Sequence, residues 1–329
     1  MNKKCQGCGV TLQSIDINRE GYTNNLDFLL CKRCFRIKHY NDYQRVNKGN
    51  TEYIDILTKI NKTKDLVLYV IDITNFNEDI TKIKKYINNP TILILNKKDL
   101  LPLSTNENKI ISYFKDYKFL DIILISSKNN YNLDKLFNLI NKYKVSKYIY
   151  VVGNTNAGKS TLINKMIYNY SHNDANITTS PLSSTTLDTI EIVLDDNTIL
   201  IDTPGLIENT SLVDLVDKAT FKKITMNKEL KPKTYRLYPN QSIIIDNILV
   251  IDYIKGNKNS FTVFTSNNLK ITKIITKIKP SNFKKETIQV YKNEDLVIPG
   301  LGWIKIIDDA LIDVYLIEGV KIHKRKSLI

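Results

Sequence analysis

Runs of apolar residues, each ended by a polar or glycine-rich segment, recur through the middle of the chain. The runs at 91–95, 121–125 and 148–152 are short and largely apolar, which is typical of buried strands. Residues 161–168 instead have the apolar spacing of a helix. Residues 194–201 predict a hairpin, with Asp195-Asp196-Asn197 at its turn. Together these patterns predict an α/β domain built on an open sheet.

The C-terminal third has a different pattern, which predicts a β-rich domain. Its β-branched and aromatic runs are separated by glycine-containing turns and lie at 241–254, 261–265 and 303–307. Trp303 is expected in the core of this domain. Basic residues lie near aromatic ones at 233–236 and 283–285, which suits contact with phosphates and stacking on bases. A solvated lysine face over an ordinary β core explains the same pattern equally well.

A glycine-rich segment joins the predicted strand 148–152 to the predicted helix 161–168. It is Gly153-Asn154-Thr155-Asn156-Ala157-Gly158-Lys159-Ser160, followed by Thr161. The two glycines permit a tight backbone path, so the amides between Asn156 and Ser160 are expected to ring a β-phosphate at the positive end of the helix. Lys159 is expected to reach the β- and γ-phosphate oxygens, and Ser160 to ligate Mg²⁺.

Two polar motifs follow the predicted strands 91–95 and 121–125, at the sheet edge where open α/β folds bind ligands. They are Asn96-Lys97-Lys98-Asp99 and Ser126-Ser127-Lys128. Asp99 is expected to accept hydrogen bonds from the ring NH and the exocyclic amine of guanine, a pair of donors that adenine does not present. Lys97 is expected along the base plane, and Asn96 between this loop and the phosphate loop. The amides of the second motif are expected to meet the guanine carbonyl, so the sequence predicts GTP and GDP as ligands.

A third motif, Asp202-Thr203-Pro204-Gly205, ends the predicted hairpin. Asp202 is expected to hold Mg²⁺ through water, and the amide of Gly205 to contact the γ-phosphate. The segment before the hairpin contains Ser183-Ser184-Thr185-Thr186-Leu187-Asp188, which has the composition of a switch loop. Thr186 is the first candidate for closing on Mg²⁺ in the GTP state, and Thr185 is the second.

The order of these motifs is unusual, because the base-reading motif precedes the phosphate loop. The usual order, with the phosphate loop first, requires a base-reading motif downstream of Gly205. The only partial match there is Asn227-Lys228-Glu229-Leu230. That segment places leucine where the guanine-binding carboxylate must stand. The sequence therefore predicts a circularly permuted P-loop GTPase domain.

All four cysteines fit one metal site, since Cys5-x2-Cys8 and Cys31-x2-Cys34 have the spacing of two metal knuckles. We expect a Zn²⁺ held by four thiolates, with disulfides as the alternative. His39 is expected to be a surface or packing residue.

Length and charge agree with three parts. At 329 residues we expect a zinc-knuckle module at 1–45, the GTPase domain at 46–218 and the β-rich domain at 219–329. The two flanking parts carry the whole net charge of +14, which indicates a polyanionic partner. No apolar run approaches the ~18 residues of a membrane span, and Cys5 leaves little room for a targeting peptide, so we expect a cytoplasmic protein without membrane partners.

The chain resembles the circularly permuted GTPases of ribosome assembly, and among them the YqeH family. The resemblance extends over nearly the whole chain and rests on the cysteine pairs and the nucleotide motifs above, with Thr185-Thr186-Leu187-Asp188 and Gly300-Leu301-Gly302-Trp303. One departure is Ser183-Ser184, where such proteins usually have Pro-Gly before the paired threonines.

The resemblance implies a GTP-hydrolysing switch that binds rRNA and assists assembly of the small (30S) ribosomal subunit, and we expect it to be a monomer. Leu206 stands where Ras-like enzymes have a water-orienting glutamine, and Asn156 matches an asparagine that helps bind K⁺ in potassium-activated relatives. Slow hydrolysis, faster in K⁺ than in Na⁺, is therefore expected. The alternatives are an RNA-binding scaffold stabilised by nucleotide with negligible turnover, or a GTPase of tRNA modification or replication control.

Overall fold

The structure is a computed structural model that describes residues 3–5, 10–16, 21–32, 50–171, 190–205, 210–277, 280 and 283–329. The chain divides into two compact units. The first takes in the described residues of 1–72, 81–98 and 114–207, and the second takes in those of 73–80, 99–113 and 208–329. Within the described residues, no helix combines the length and the apolar character needed to cross a membrane.

The first unit contains one six-stranded sheet in the order β3-β2-β1-β4-β6-β5. All neighbouring strands are parallel except β5, which runs antiparallel to β6. The central strands are buried along nearly their whole length, as expected for parallel strands covered on both faces. The strands are β1 (Leu66–Asp72), β2 (Thr91–Asn96), β3 (Asp121–Leu124), β4 (Tyr148–Gly153), β5 (Ile190–Asp195) and β6 (Thr198–Asp202).

The edge strand β5 differs from the others, because buried and half-buried residues alternate along it. It forms a hairpin with β6, so the hairpin predicted at 194–201 is confirmed. The amide of Asn197 donates to Asp195 Oδ1 at 2.8 Å and closes the turn. This hairpin brings the end of β6 back beside β4.

Five α-helices and three short 3-10 helices connect the described strands. The α-helices are α1 (Asn50–Ile60), α2 (Glu107–Lys115), α3 (Leu133–Tyr143), α4 (Lys159–Tyr170) and α5 (Lys218–Ile224); the 3-10 helices are Glu78–Lys85, Lys98–Leu100 and Leu212–Asp214. Leu136 and Ile140 of α3 and Leu162 and Ile163 of α4 are almost fully buried and join the apolar residues of the sheet in one core. Helix α4 includes the whole of the predicted helix 161–168.

The second unit is rich in β structure, as predicted. Two five-stranded antiparallel sheets, β16-β13-β14-β10-β7 and β11-β8-β9-β15-β12, share one buried core. Trp303 is 1% exposed and stacks on Phe264 with ring centroids 4.5 Å apart, so its predicted place in the core is confirmed. The strands are β7 (Lys233–Leu237), β8 (Ser242–Ile245), β9 (Leu249–Gly256), β10 (Asn259–Thr265), β11 (Ile271–Ile274), β12 (Lys284–Val290), β13 (Glu294–Ile298), β14 (Gly302–Ile306), β15 (Ala310–Leu316) and β16 (His323–Lys326).

The run at 241–254 forms two strands rather than the single one that its composition suggested. Strands β8 and β9 pair as a hairpin, and Asp246 at the turn has a left-handed φ of 44°. An aspartate tolerates this conformation because its short polar side chain bonds locally. Apolar periodicity alone therefore did not reveal the turn.

Candidate nucleotide site

The phosphate loop connects the end of β4 to the start of α4, in the middle of the first sheet. Gly153 and Gly158 have left-handed φ values of 149° and 87°. A Cβ atom on Gly153 would lie 2.1 Å from the Val70 carbonyl O, and one on Gly158 would lie 2.3 Å from Asn96 Nδ2. Glycine is therefore required at both positions by backbone conformation and by close approach.

The loop curls around the ammonium group of Lys159, which is the first residue of α4. Its Nζ donates to the carbonyl O of Gly153 at 2.6 Å and to that of Asn154 at 2.9 Å, and the residue is 2% exposed. Asn156 has a left-handed φ of 62° at the tip of the loop. A buried cation and the N-terminus of a twelve-residue helix thus meet at one point, an arrangement suited to phosphate binding.

Asn96 joins the phosphate loop to the loop that follows β3. Its Nδ2 donates to the Ala157 carbonyl O at 2.9 Å, and its Oδ1 accepts from the Ser127 amide at 3.1 Å and the Ser127 hydroxyl at 2.9 Å. Asn96 is 2% exposed, so these bonds are made away from water. One buried side chain therefore fixes the relative positions of two loops that were predicted to bind opposite ends of a nucleotide.

The remaining residues of the base-reading motif lie at the end of β2. Lys97 has a left-handed φ of 70°, and its Nζ lies 2.7 Å from Asp72 Oδ2 at the end of the neighbouring strand β1. Lys98 lies over the ring of Tyr131, 4.3 Å from the ring centroid. Asp99 belongs to the 3-10 helix Lys98–Leu100.

The loop after β3 is closed by its own hydrogen bonds. The amide and carbonyl groups of Ser126 and Tyr131 bond reciprocally, at 3.2 and 3.0 Å. The amide of Asn129 donates to Ser126 Oγ at 3.1 Å. Ser126 and Ser127 are buried, whereas Lys128 is exposed at the tip. The loop is therefore a tight turn with its backbone held in one conformation.

Asp202 stands at the end of β6, directly beside the phosphate-loop strand, since it pairs with Val151 of β4. The next residue, Thr203, donates its amide and its hydroxyl to the Val151 carbonyl O at 3.2 and 2.9 Å. Asp202 and Thr203 are buried, as is Gly205. The third motif therefore begins at the same edge of the sheet as the phosphate loop. Asp202 was expected to hold Mg²⁺ at this edge.

Several predicted residues lie outside the described part of the chain. They are Thr185, Thr186 and Leu206 of the switch segments, Cys8 and Cys34 of the cysteine pairs, and His39. The sequence analysis did not name Asp72, which pairs with Lys97, and it gave no role to Thr203, whose hydroxyl and amide bond β4. Asp72 ends the apolar run at 66–72, so the same pattern of a buried strand followed by a polar residue would have found it.

The described cysteines, Cys5 and Cys31, come from different cysteine pairs and lie side by side. The amide of Cys31 donates to Cys5 Sγ at 3.1 Å, and both residues are 2% exposed. Leu12 is buried with them in a small apolar cluster. The structure therefore joins the two segments that were predicted to form one metal site.

Three exposed basic residues on β7 and β11 of the second unit are here called the β7–β11 cation patch. Lys233 and Arg236 are exposed on β7, and exposed Lys273 of β11 donates to the Arg236 carbonyl O at 2.7 Å. Across the described residues, no carboxylate forms a salt bridge with these side chains. Lys285, in contrast, pairs with Asp313 at 2.7 Å. Of the basic segments 233–236 and 283–285, the first therefore has the positive charge that fewer carboxylates compensate.

Comparison with known proteins gives consistent matches. The family described as 50S ribosome-binding GTPase matches residues 148–231. YqeH of Bacillus subtilis (strain 168), described as uncharacterized, is 33% identical over 99% of this chain and 99% of its own. NO-associated protein 1 of Arabidopsis thaliana is 23% identical over 92% of this chain and 69% of its own. The GTPase Der of Mycoplasma capricolum subsp. capricolum is 30% identical over 48% of this chain and 38% of its own.

The α/β sheet, the phosphate loop at its centre and these matches define a P-loop GTPase, which binds GTP and GDP with Mg²⁺ and hydrolyses GTP. The 33% identity to YqeH of Bacillus subtilis over almost the whole length of both chains narrows this class of protein further. The chain belongs to the YqeH family of circularly permuted ribosome-biogenesis GTPases.

Proposed function

We propose that the protein is a GTP-dependent switch that binds rRNA and assists assembly of the small ribosomal subunit. The observation that carries the nucleotide part is the set of three buried hydrogen bonds by which Asn96 joins the phosphate loop to Ser127. Membership of the YqeH family and the net charge of +14 support the ribosomal part. We propose that the protein acts as a monomer.

The proposed roles follow the chemistry of each group. Asp99 accepts two hydrogen bonds from guanine, Lys97 flanks the base, and the amides of Ser126, Ser127 and Lys128 bind the guanine carbonyl. The residues from Gly153 to Thr161 bind the phosphates, with Lys159 neutralising charge that develops during hydrolysis. Mg²⁺ would be held by Ser160, Asp202 and Thr186 or Thr185, and the amide of Gly205 would contact the γ-phosphate.

We propose that Asn156 also helps to hold K⁺ beside the phosphates. Its left-handed conformation at the loop tip, with φ 62°, supports a special role for this position. A monovalent cation there would supply the positive charge that an arginine finger supplies elsewhere. Hydrolysis measured with subunits present should be faster in K⁺ than in Na⁺. Equal rates in the two salts would remove the cation from the proposal.

We further propose that Cys5, Cys8, Cys31 and Cys34 hold one Zn²⁺. The amide hydrogen bond to Cys5 Sγ supports this, because such donors stabilise thiolate ligands. The described residues alone contain no cluster of three metal-ligating side chains, since two of the proposed ligands lie outside them. Zinc would supply the stability that a segment with so small an apolar cluster lacks.

The β7–β11 cation patch is the proposed site of rRNA contact, and charge removal tests it. Lys233→Ala combined with Arg236→Ala should weaken binding to small subunits, and the dependence of log K on log salt should fall by about 1 to 2. Lys285→Ala is the matched control, because Asp313 already compensates that lysine. Equal binding by the double variant and the control would remove the patch from the interface.

The switch itself is tested by co-sedimentation of the full chain with small subunits. A non-hydrolysable GTP analogue and GDP should support different affinities for the particle, because only the former offers a γ-phosphate to Gly205. Identical affinities would refute the switch. Single-turnover hydrolysis with and without subunits separates a switch from a scaffold, since a scaffold would show negligible turnover in both.

A further inference from the structure

The segment Asn227-Lys228-Glu229-Leu230 was rejected as a base-reading motif, but it contacts the residues that directly follow the predicted one. The amide of Leu230 donates to the Leu100 carbonyl O at 2.9 Å. The amide of Leu103 donates to Glu229 Oε1 at 2.8 Å. Residues 229–230 thus form a clamp on the segment 100–103, which follows Asp99 directly.

The clamp is built into the second unit. Asn267, in the loop between β10 and β11, donates its Nδ2 to the Glu229 carbonyl O at 2.8 Å and accepts from the Lys231 amide at 2.9 Å. Leu100 and Leu230 are both buried. Asp99 itself belongs to the same compact unit as the C-terminal sheets. Its position therefore depends on contacts with residues more than a hundred positions later in the chain.

The base-reading segment needs such support. Asp99 lies in a 3-10 helix of three residues, a type of structure with weak internal hydrogen bonds. The preceding Lys97 has a φ of 70°, which is unfavourable for a side chain of that size. A carboxylate that must meet two donors of one base at hydrogen-bond distance requires a fixed backbone.

We propose that Glu229 is a positioning residue for guanine recognition, which holds the segment 100–103 so that the Asp99 carboxylate faces the base. This inference rests on the proposed role of Asp99. The clamp lies within the second unit, where Asn267 connects it to the loop between β10 and β11. By reciprocity, a ligand that moved this loop would change the affinity for guanine nucleotides.

The test compares the affinities of the full chain for GDP and for inosine diphosphate, which lacks the exocyclic amine. In the wild type GDP should bind more tightly, because Asp99 accepts a hydrogen bond from that amine. Glu229→Ala should lower the preference for GDP by about 3- to 10-fold, the value of one such bond. Glu229→Gln retains an acceptor for the Leu103 amide and should keep the preference within about twofold. Lys228→Ala, at the exposed position next to Glu229, is the matched control and should leave the preference for GDP unchanged.

A purely structural role would lower both affinities equally, so an unchanged preference in folded Glu229→Ala would overturn the proposal. If that variant does not fold, Asn267→Ala takes its place and should show the same fall in the preference for GDP. An unchanged preference in Asn267→Ala would also overturn the proposal. The Asp99→Ala variant separates a failure of the positioning role of Glu229 from a failure of the proposed role of Asp99. A reduced preference in Asp99→Ala with an unchanged one in Glu229→Ala would refute the positioning role alone. An unchanged preference in Asp99→Ala would refute the role of Asp99, and the inference with it.

Discussion

Replacing Asn96 by alanine should disconnect the two loops of the nucleotide site. The side chain makes three buried hydrogen bonds, one to the Ala157 carbonyl O and two to Ser127. Alanine makes none of them, and a water molecule can replace them only by entering a position that is 2% exposed. The substitution therefore leaves a carbonyl, an amide and a hydroxyl group without their partner.

The expected magnitude follows from the count of bonds. At about 1 kcal/mol for each bond, the free energy of unfolding should fall by about 3 kcal/mol. The phosphate loop and the loop at Ser127 would also no longer be ordered before nucleotide binds. Part of the binding free energy would then be spent on ordering them, and we expect the affinity for GDP to fall about tenfold or more.

Asn89 offers a matched control in the same unit. The two hydrogens of its Nδ2 are shared among three acceptors, the Thr63 carbonyl O, Thr63 Oγ1 and the Asp65 carbonyl O. It precedes β2, whereas Asn96 ends that strand, so the two positions lie about 20 Å apart along it. Asn89→Ala should also lower stability, yet leave the affinity for GDP unchanged.

Urea denaturation gives the stabilities, and titration with a fluorescent GDP gives the affinities. We expect both variants to lose stability and only Asn96→Ala to lose affinity for GDP. If Asn96→Ala bound GDP as tightly as the wild type, the joining of the two loops would have no role in binding. An equal loss of affinity in Asn89→Ala would show that the effect is one of general stability.

Three further predictions concern other parts of the chain. Gly153→Ala should abolish nucleotide binding and lower stability by at least about 2 kcal/mol, because its Cβ would lie 2.1 Å from the Val70 carbonyl O; normal binding by this variant would contradict the geometry. The pKa of Asp217 is lowered chiefly because the Thr220 amide donates to its carboxylate at the start of α5. Its stabilising effect should be present above the ordinary pKa of about 3.9 and lost as pH falls through the lowered value, so Tm curves of the wild type and Asp217→Asn should converge from pH 5 to pH 2. Cys31→Ser should reduce the zinc content, measured by elemental analysis of the purified chain, from about one equivalent to nearly none, and full retention would exclude the four-thiolate site.

The strands and the phosphate loop could be predicted from the sequence because their causes are local. A continuous apolar run, a glycine with a left-handed φ and a helix after it are all contained within the segment 148–170. The hairpin of β5 and β6 was likewise marked by its turn residues. Local patterns therefore predicted where each motif stands in the sheet.

Contacts between distant segments could not be predicted in this way. A division into 46–218 and 219–329 does not anticipate that residues 73–80 and 99–113 belong to the compact unit of the C-terminal sheets. Arg325 shows the reason. Its Nη1 donates to the Phe76 carbonyl O at 3.0 Å, and its guanidinium lies 4.2 Å from the centroid of the Phe76 ring. Nothing in the sequence around either residue signals a partner about 250 positions away.

The two proposed contacts with the nucleotide have different consequences for regulation. GTP and GDP carry the same base, so the contact at Asp99 contributes equally to the binding of both and cannot distinguish them. Contacts that depend on the γ-phosphate, such as the one proposed for Gly205, can do so. A partner that displaced the Glu229 clamp would therefore speed the release of either nucleotide, whereas one that acted on the segment after Gly205 would change the preference for GTP over GDP. The ratio of the two affinities, measured with and without bound subunits, separates these two modes of control.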